Sequence, residues 1–470
     1  MDFAVFLAAA LVIAFVTTYL IKRYTKHPTF YVISIIKTDR FNPIFDSLKH
    51  HKILEYLTIF GSILGFGAFG FDFFIGNKIK SLWQRIAVFL IVTVVLSAGF
   101  YFLFGPFLEA SVVIPIPNAW PLAIAFGLGG FSFAISFFLL ILAFHIVGTY
   151  SAGGKTCPSI APVLPGIEIP NVDFTPPWEA WISIFLILVI HEAAHGFLAR
   201  RHNVPIKSAG IIPFGPFPIG AFVEPDENEI HRMEPEKAVQ IFAAGPTSNI
   251  VSMLVIGAIA ILATMLIFTP LVTPYQNYIL ENRYSGIQIS SVDENVMFCR
   301  TAYPSPAFEA GVEKGSVLRK INDQPVKNEF DLRTAVLTNA GQPAKFQFEK
   351  DGRITEKTIT PNKLGQFGFR FQALSNPQYV APPEYQQIAY GFYALIVSIV
   401  AWFLLLSFFV AISNFLPMVP FDGGRMAELI FAPYFGFMKL NEEDTRKFVK
   451  RLFFWIMVPI LLINLLPLFL

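Results

Sequence analysis

Apolar stretches of membrane-spanning length recur along the chain, at about 2–21, 55–76, 86–104, 120–147, 178–200, 238–270, 386–416 and 452–470. Roughly 20 such residues carry a helix across the hydrocarbon core. The pattern therefore predicts a polytopic α-helical membrane protein of about eight spans. The second stretch is rich in glycine (Gly61, Gly65, Gly67, Gly70), which predicts a kinked or re-entrant helix. One sizeable polar segment, 284–376, interrupts the series. Its β-like runs at 286–292, 345–349 and 357–360 mix with two short helical patterns, so it is expected to form one small mixed α/β domain outside the membrane. A Pro-rich stretch, 377–383, leads back to the next span. The segment 205–225 is apolar but carries Pro213, Pro216 and Pro218 with Gly210, Gly215 and Gly220, which excludes a helix. Such backbone is tolerated at membrane depth only where protein or a water-filled cavity satisfies it. Two readings stand: a re-entrant hairpin beside a functional site, or a plain interfacial loop.

The chain thus divides into N-terminal spans (1–177), a first core segment (178–283), the polar domain (284–376), and a linker with the last spans (377–470). Of 470 residues, 54% are hydrophobic and 14% charged. Soluble domains carry about 25% charged residues, so most of this chain is solvated by lipid. A net charge of +2 with no extended basic patch predicts no nucleic-acid partner. Two cysteines exclude a disulfide scaffold and a cysteine-rich metal site. The first stretch lacks a basic leader and a small-residue cleavage site, so it is expected to be a retained span or signal anchor.

Lys and Arg favour cytoplasmic loops. The 22–54 loop holds Lys22, Arg23, Lys26, Lys37, Arg40, Lys49 and Lys52 against Asp39 and Asp46. The 423–451 loop holds Arg425, Lys439, Arg446, Lys447, Lys450 and Arg451, and Arg200, Arg201 and Lys207 follow the fifth stretch. With eight spans these regions share one side, expected to be the cytoplasmic face of the cell membrane, and the polar domain is extracytoplasmic. Lys78, Lys80 and Arg85 then land outside, against the rule.

The fifth stretch contains His191-Glu192-Ala193-Ala194-His195. Histidines four apart share a helix face, so both imidazoles reach one zinc ion, and the glutamate between them is placed to take a proton from zinc-bound water. Ionisable groups at membrane depth are functional by default; the competing reading is a chance match with two packing histidines. A catalytic zinc needs a third protein ligand. Asp422, in Asn414-Phe415-Leu416-Pro417-Met418-Val419-Pro420-Phe421-Asp422-Gly423-Gly424, is the candidate. Prolines and paired glycines break the helix there and free the aspartate to face a metal, although an aspartate can also cap the helix that follows.

These two motifs resemble the site-2 protease family of intramembrane zinc metalloproteases. That family pairs a His-Glu-x-x-His span with a later Asn-x-x-Pro-x-x-Pro-Leu-Asp-Gly segment. Phe421 stands in place of the usual leucine, and 244–249 resembles the family's Gly-Pro-containing start of the span after the motif. The resemblance covers roughly 178–470. It implies His191, His195 and Asp422 as zinc ligands and Glu192 as general base and later proton donor. Asn414 becomes a polar group holding substrate or oxyanion, though an asparagine there can equally bond helix backbone. The implied reaction is hydrolysis of peptide bonds within or near transmembrane segments of other membrane proteins. An edge of the 205–225 segment would receive the unwound substrate.

The polar domain resembles a PDZ domain. The resemblance rests on Ser305-Pro306-Ala307-Phe308-Glu309-Ala310-Gly311-Val312 leading into Gly315-Ser316-Val317-Leu318-Arg319-Lys320-Ile321-Asn322. Ser316 replaces the usual aspartate and Asp323 the usual glycine. Peptide ends are then the implied ligands, with 365–369 as carboxylate loop; a structural module without a ligand is the other reading. For the whole chain the alternative to a protease is an inactive scaffold that holds partners through this domain, which would have no need of Glu192. No repeat of two halves is visible, which argues against a transporter. Cys157 and Cys299 share the extracytoplasmic side, where they can pair or remain free thiols.

Overall fold

The computed structural model describes residues 3–25, 27–30, 32–38, 41–110, 118–169, 172, 174–215, 217–299, 301–339 and 341–470. Lys26, Asp39, Arg40 and Pro216 lie outside the described residues. Among those described, seven helices are long and apolar enough to cross a membrane: Ile53–Lys78, Leu82–Glu109, Trp120–Ser151, Ala180–Arg201, Pro235–Asn282, Glu384–Asn414 and Glu442–Leu468. The expected first span falls on helix Phe3–Tyr24, which is not among the seven and whose leading side chains lie outside the described residues. Pro235–Ala263 continues through a π-helical turn at Thr264–Phe268 into Thr269–Asn282. Its 48 residues rise about 72 Å at 1.5 Å each. That is more than twice the hydrocarbon core of about 30 Å, so the helix continues as a stalk to the polar domain.

Two of the seven turn back instead of crossing. In Ile53–Phe74 the break is Gly67, at φ 57° and ψ −136°, a left-handed conformation that glycine takes at little cost. A Cβ on Gly70 would lie 2.5 Å from the Ser62 carbonyl oxygen, whereas eight residues of continuous helix would separate them by about 12 Å. Both ends of this hairpin therefore sit on one side. Near its start Glu55 pairs with Arg201 at 2.7 Å, and beyond its end Lys78 lies 3.8 Å from Glu236. Arg201 and Glu236 share that side, because His202 and Gln240 next to them bond at 2.8 Å.

Trp120–Ser151 breaks at Gly129 and Gly130, the latter at φ 59° and ψ −154°. At its start the Ala119 N–H donates to Glu109, at the far end of helix Leu82–Glu109, at 2.9 Å. Its second half runs beside helix Glu442–Leu465 toward the C-terminus of that helix, where Asn464 donates to the Leu139 carbonyl at 2.9 Å. The two tips meet: a Cβ on Gly67 would lie 2.6 Å from the Gly130 nitrogen. The expectation of about eight crossing spans is corrected accordingly, because apolar length alone does not distinguish a helix that crosses from one folded at a glycine. The reversal at Gly67 also returns Lys78, Lys80 and Arg85 to the side of Arg200 and Arg201, which removes the charge conflict.

The 205–225 segment is an antiparallel hairpin, Ile206–Phe214 with Phe217–Pro225. Its first strand also pairs with Ile33–Ser34 and Ile36–Thr38. Phe217–Pro225 pairs on one side only among the described residues. In the polar domain the antiparallel strand order is Arg353–Ile359, Ala344–Lys350, Val317–Ile321, Tyr284–Val292 and Phe369–Ser375, around a core of Ile287, Ile289, Leu318, Ile321, Phe346 and Phe348. Cys157 and Cys299 form a disulfide, with Cα atoms 4.7 Å apart, so the two thiols are paired. The bond ties this domain to the loop that precedes helix Ala180–Arg201.

Candidate metal centre

His191 and His195 project from one face of Ala180–Arg201 and are 6% and 9% exposed. Helix Glu384–Asn414 ends where Pro417 and Pro420 forbid its continuation, and a new helix, Asp422–Phe431, begins at once. Asp422 is the first residue of that helix and not its cap. Its Oδ2 lies 3.1 Å from Nε2 of His191 and 3.3 Å from Nε2 of His195. The ligand atoms of all three fall within 4.8 Å of one another. Tetrahedral zinc with bonds near 2.0–2.1 Å separates its nitrogen and oxygen ligands by about 3.3 Å. Both histidine–aspartate distances match that spacing as they stand.

The surrounding groups select the ring nitrogens. His195 Nδ1 lies 2.8 Å from the Ile241 carbonyl, so Nδ1–H donates there and the Nε2 lone pair faces Asp422. His191 Nδ1 lies 3.0 Å from the amide nitrogen of Asn249, while the buried Asn249 Oδ1 has no partner. Turning the amide over lets Oδ1 accept from Nδ1–H and frees His191 Nε2 for a metal. The orphaned oxygen is thus accounted for by a metal-bound imidazole. Gly245, one helical turn before Asn249, approaches so closely that a Cβ would lie 2.4 Å from Nε2 of both histidines. Neither residue was assigned a role by sequence reasoning, although their i,i+4 spacing already placed them on one helix face. Asn249→Leu, which leaves Nδ1 of His191 unpartnered, is expected to weaken zinc binding about 10- to 100-fold in chelator competition; unchanged affinity would exclude this orienting role.

Glu192 stands beside the cluster, and its Oε2 accepts from the Val223 N–H of the hairpin at 3.1 Å. His191, Glu192, His195, Asn414 and Asp422 open onto one cavity of about 730 Å³, whose wall also includes Lys37, Glu224 and Arg425. The Ser208 hydroxyl and then the Lys37 ammonium hold the Glu224 carboxyl below its usual range. A charged wall of this kind gives water a polar route to the buried imidazoles. Asn414 lines the cavity while its Nδ2 donates to the Val410 carbonyl at 2.9 Å.

A family model, Peptidase family M50, matches residues 179–460. The chain is similar to the uncharacterized protein MJ0971 of Methanocaldococcus jannaschii, 24% identical over 277 residues that make up 58% of this chain and 61% of that one. It is also similar to the zinc metalloprotease Rip1 of Mycobacterium tuberculosis, 24% identical over 201 residues, 36% of this chain and 48% of Rip1. The matched region takes in less than two thirds of either relative.

Proposed function

The chain belongs to peptidase family M50, and from that premise we propose that it is a membrane-embedded zinc metalloendopeptidase of the site-2 type. Its substrates in this reading are other membrane proteins, cut within or near their transmembrane segments. One observation supports it above the rest: two histidines and an aspartate from distant helices converge on a cavity that also holds the carboxylate of Glu192. Zinc, when bound, polarises the scissile carbonyl and lowers the pKa of its water from about 15.7 toward about 7.

The remaining steps belong to residues of this chain. Glu192 takes the proton of the attacking water and later hands it to the leaving amine. The Val223 N–H holds that carboxylate toward the cavity. A helical substrate must unwind to expose its carbonyls, and the free edge of Phe217–Pro225 receives the extended segment as an added strand beside Glu192. Asn414 is the neighbouring polar group for substrate or oxyanion.

The basic side carrying Arg200, Arg201 and Lys78 faces the cytoplasm of the cell in this reading. The disulfide-bonded domain then lies outside, where disulfides persist. There it acts as a PDZ-like filter for peptide ends. A cavity of about 930 Å³, lined by Leu332, Arg333 and Val336 of helix Glu329–Thr338, by 366–368 and by the edge strand Phe369–Ser375, has room for an extended chain.

The purified protein is expected to cut a single-span test protein, to stop when 1,10-phenanthroline strips its metal, and to recover on addition of zinc. Cleavage indifferent to the chelator would overturn the proposal.

A further inference from the structure

The family match begins at residue 179, yet the hairpin Ile53–Phe74 packs on both halves of the candidate metal centre. On the histidine half, Glu55 pairs with Arg201 at the end of the His191–His195 helix, at 2.7 Å. Gly61 lies so close to Thr247, midway between Gly245 and Asn249, that a Cβ would overlap its side chain. On the aspartate half, Gly65 abuts the Phe415 ring. Phe66 and Phe69 meet Phe431, the last residue of helix Asp422–Phe431, at ring-centroid distances of 5.9 and 5.0 Å. Just beyond that helix the Tyr434 hydroxyl donates to Asp72, which is 3% exposed and also accepts from Arg85 Nε at 2.7 Å.

A buried carboxylate held by a guanidinium and a phenol is a stiff link, because removing either partner leaves charge or a lone pair uncompensated. The metal ligands sit on two separate helices, and a site of this kind binds well only while its ligands stay within about 0.5 Å of the required geometry. Resting on the metalloprotease reading, we infer that the N-terminal hairpin braces the metal centre and that Asp72 is its positioning residue. Through Tyr434 it holds the Asp422 helix against the histidine helix. The segment 1–177, outside the family match, thereby becomes part of what sets zinc affinity.

The test is chelator competition for zinc on the full chain in detergent, comparing the parent with Tyr434→Phe, Asp72→Asn and the double variant. Tyr434→Phe keeps the ring packed on Phe69, 5.1 Å away, and loses one hydroxyl. Each single variant is expected to bind zinc about tenfold more weakly, at the low end for groups outside the ligand shell. The double variant should lose no more than Asp72→Asn, because both changes cut the same link. Lys350→Gln, at an exposed ion pair with Glu313, should match the parent. Affinity of Tyr434→Phe within about twofold of the parent, or losses that simply add in the double variant, would overturn the brace. If Asp72→Asn does not accumulate, Tyr434→Phe decides alone. A parent that binds no zinc at all would instead overturn the metalloprotease reading beneath it.

Discussion

Replacing Glu192 with glutamine is expected to remove cleavage while leaving zinc in place. Glutamine has nearly the same shape, and its amide oxygen can still accept from the Val223 N–H that Glu192 engages at 3.1 Å. What it lacks is the capacity to take a proton. General-base groups contribute about 10²- to 10⁴-fold to rate, so turnover of a single-span test substrate should fall by that factor. The three metal-binding side chains are untouched, and the metal content of the variant should equal that of the parent. Cleavage at the parental rate would assign the base elsewhere. Loss of zinc along with activity would make Glu192 a fourth ligand.

Asp422→Ala is expected to cost the protein its metal as well as its activity. Of the three residues that converge, it alone carries a negative charge, and its Oδ2 spans the gap to both imidazoles at 3.1 and 3.3 Å. Without it two neutral nitrogens remain, fewer than the three protein ligands a catalytic zinc uses. Groups that merely orient ligands are worth about 10- to 100-fold in metal affinity, so loss of a ligand itself should exceed about 100-fold. Elemental analysis of purified protein should find zinc in the parent and next to none in the variant. One zinc per chain in Asp422→Ala would place the third ligand on another residue.

The histidine pair was readable from spacing alone, because an α-helix of any surroundings puts residues four apart on one face. The break before Asp422 was readable for a similar reason: Pro417 and Pro420 end a helix wherever they occur. The hairpin at 205–225 lay between two readings, since Pro and Gly exclude a helix without dictating strands. Pairing with Ile33–Ser34 and Ile36–Thr38, more than 160 residues earlier, satisfies its backbone and makes it a strand hairpin.

The crossing count was not readable. The glycines at 61, 65, 67 and 70 pointed to a kinked or re-entrant second stretch, but lipid solvates a kinked helix that crosses and one that folds back alike, so composition does not choose between them. The close approach of Gly70 to the Ser62 carbonyl, eight residues earlier, decides it for Ile53–Phe74. Asn249 was hidden for a different reason. Its helix is evident, but which face meets His191, 58 residues away, depends on how two helices pack.

The sequence by itself determined where apolar helices form, where they end, and which side chains are candidates for acid–base and metal-binding chemistry, because those properties are local. Only the tertiary structure decided which apolar helices fold back, which cysteines bond, and that a hairpin from outside the family match clasps both halves of the metal centre. Those outcomes rest on contacts between segments far apart in the chain, and such contacts leave no periodicity along it.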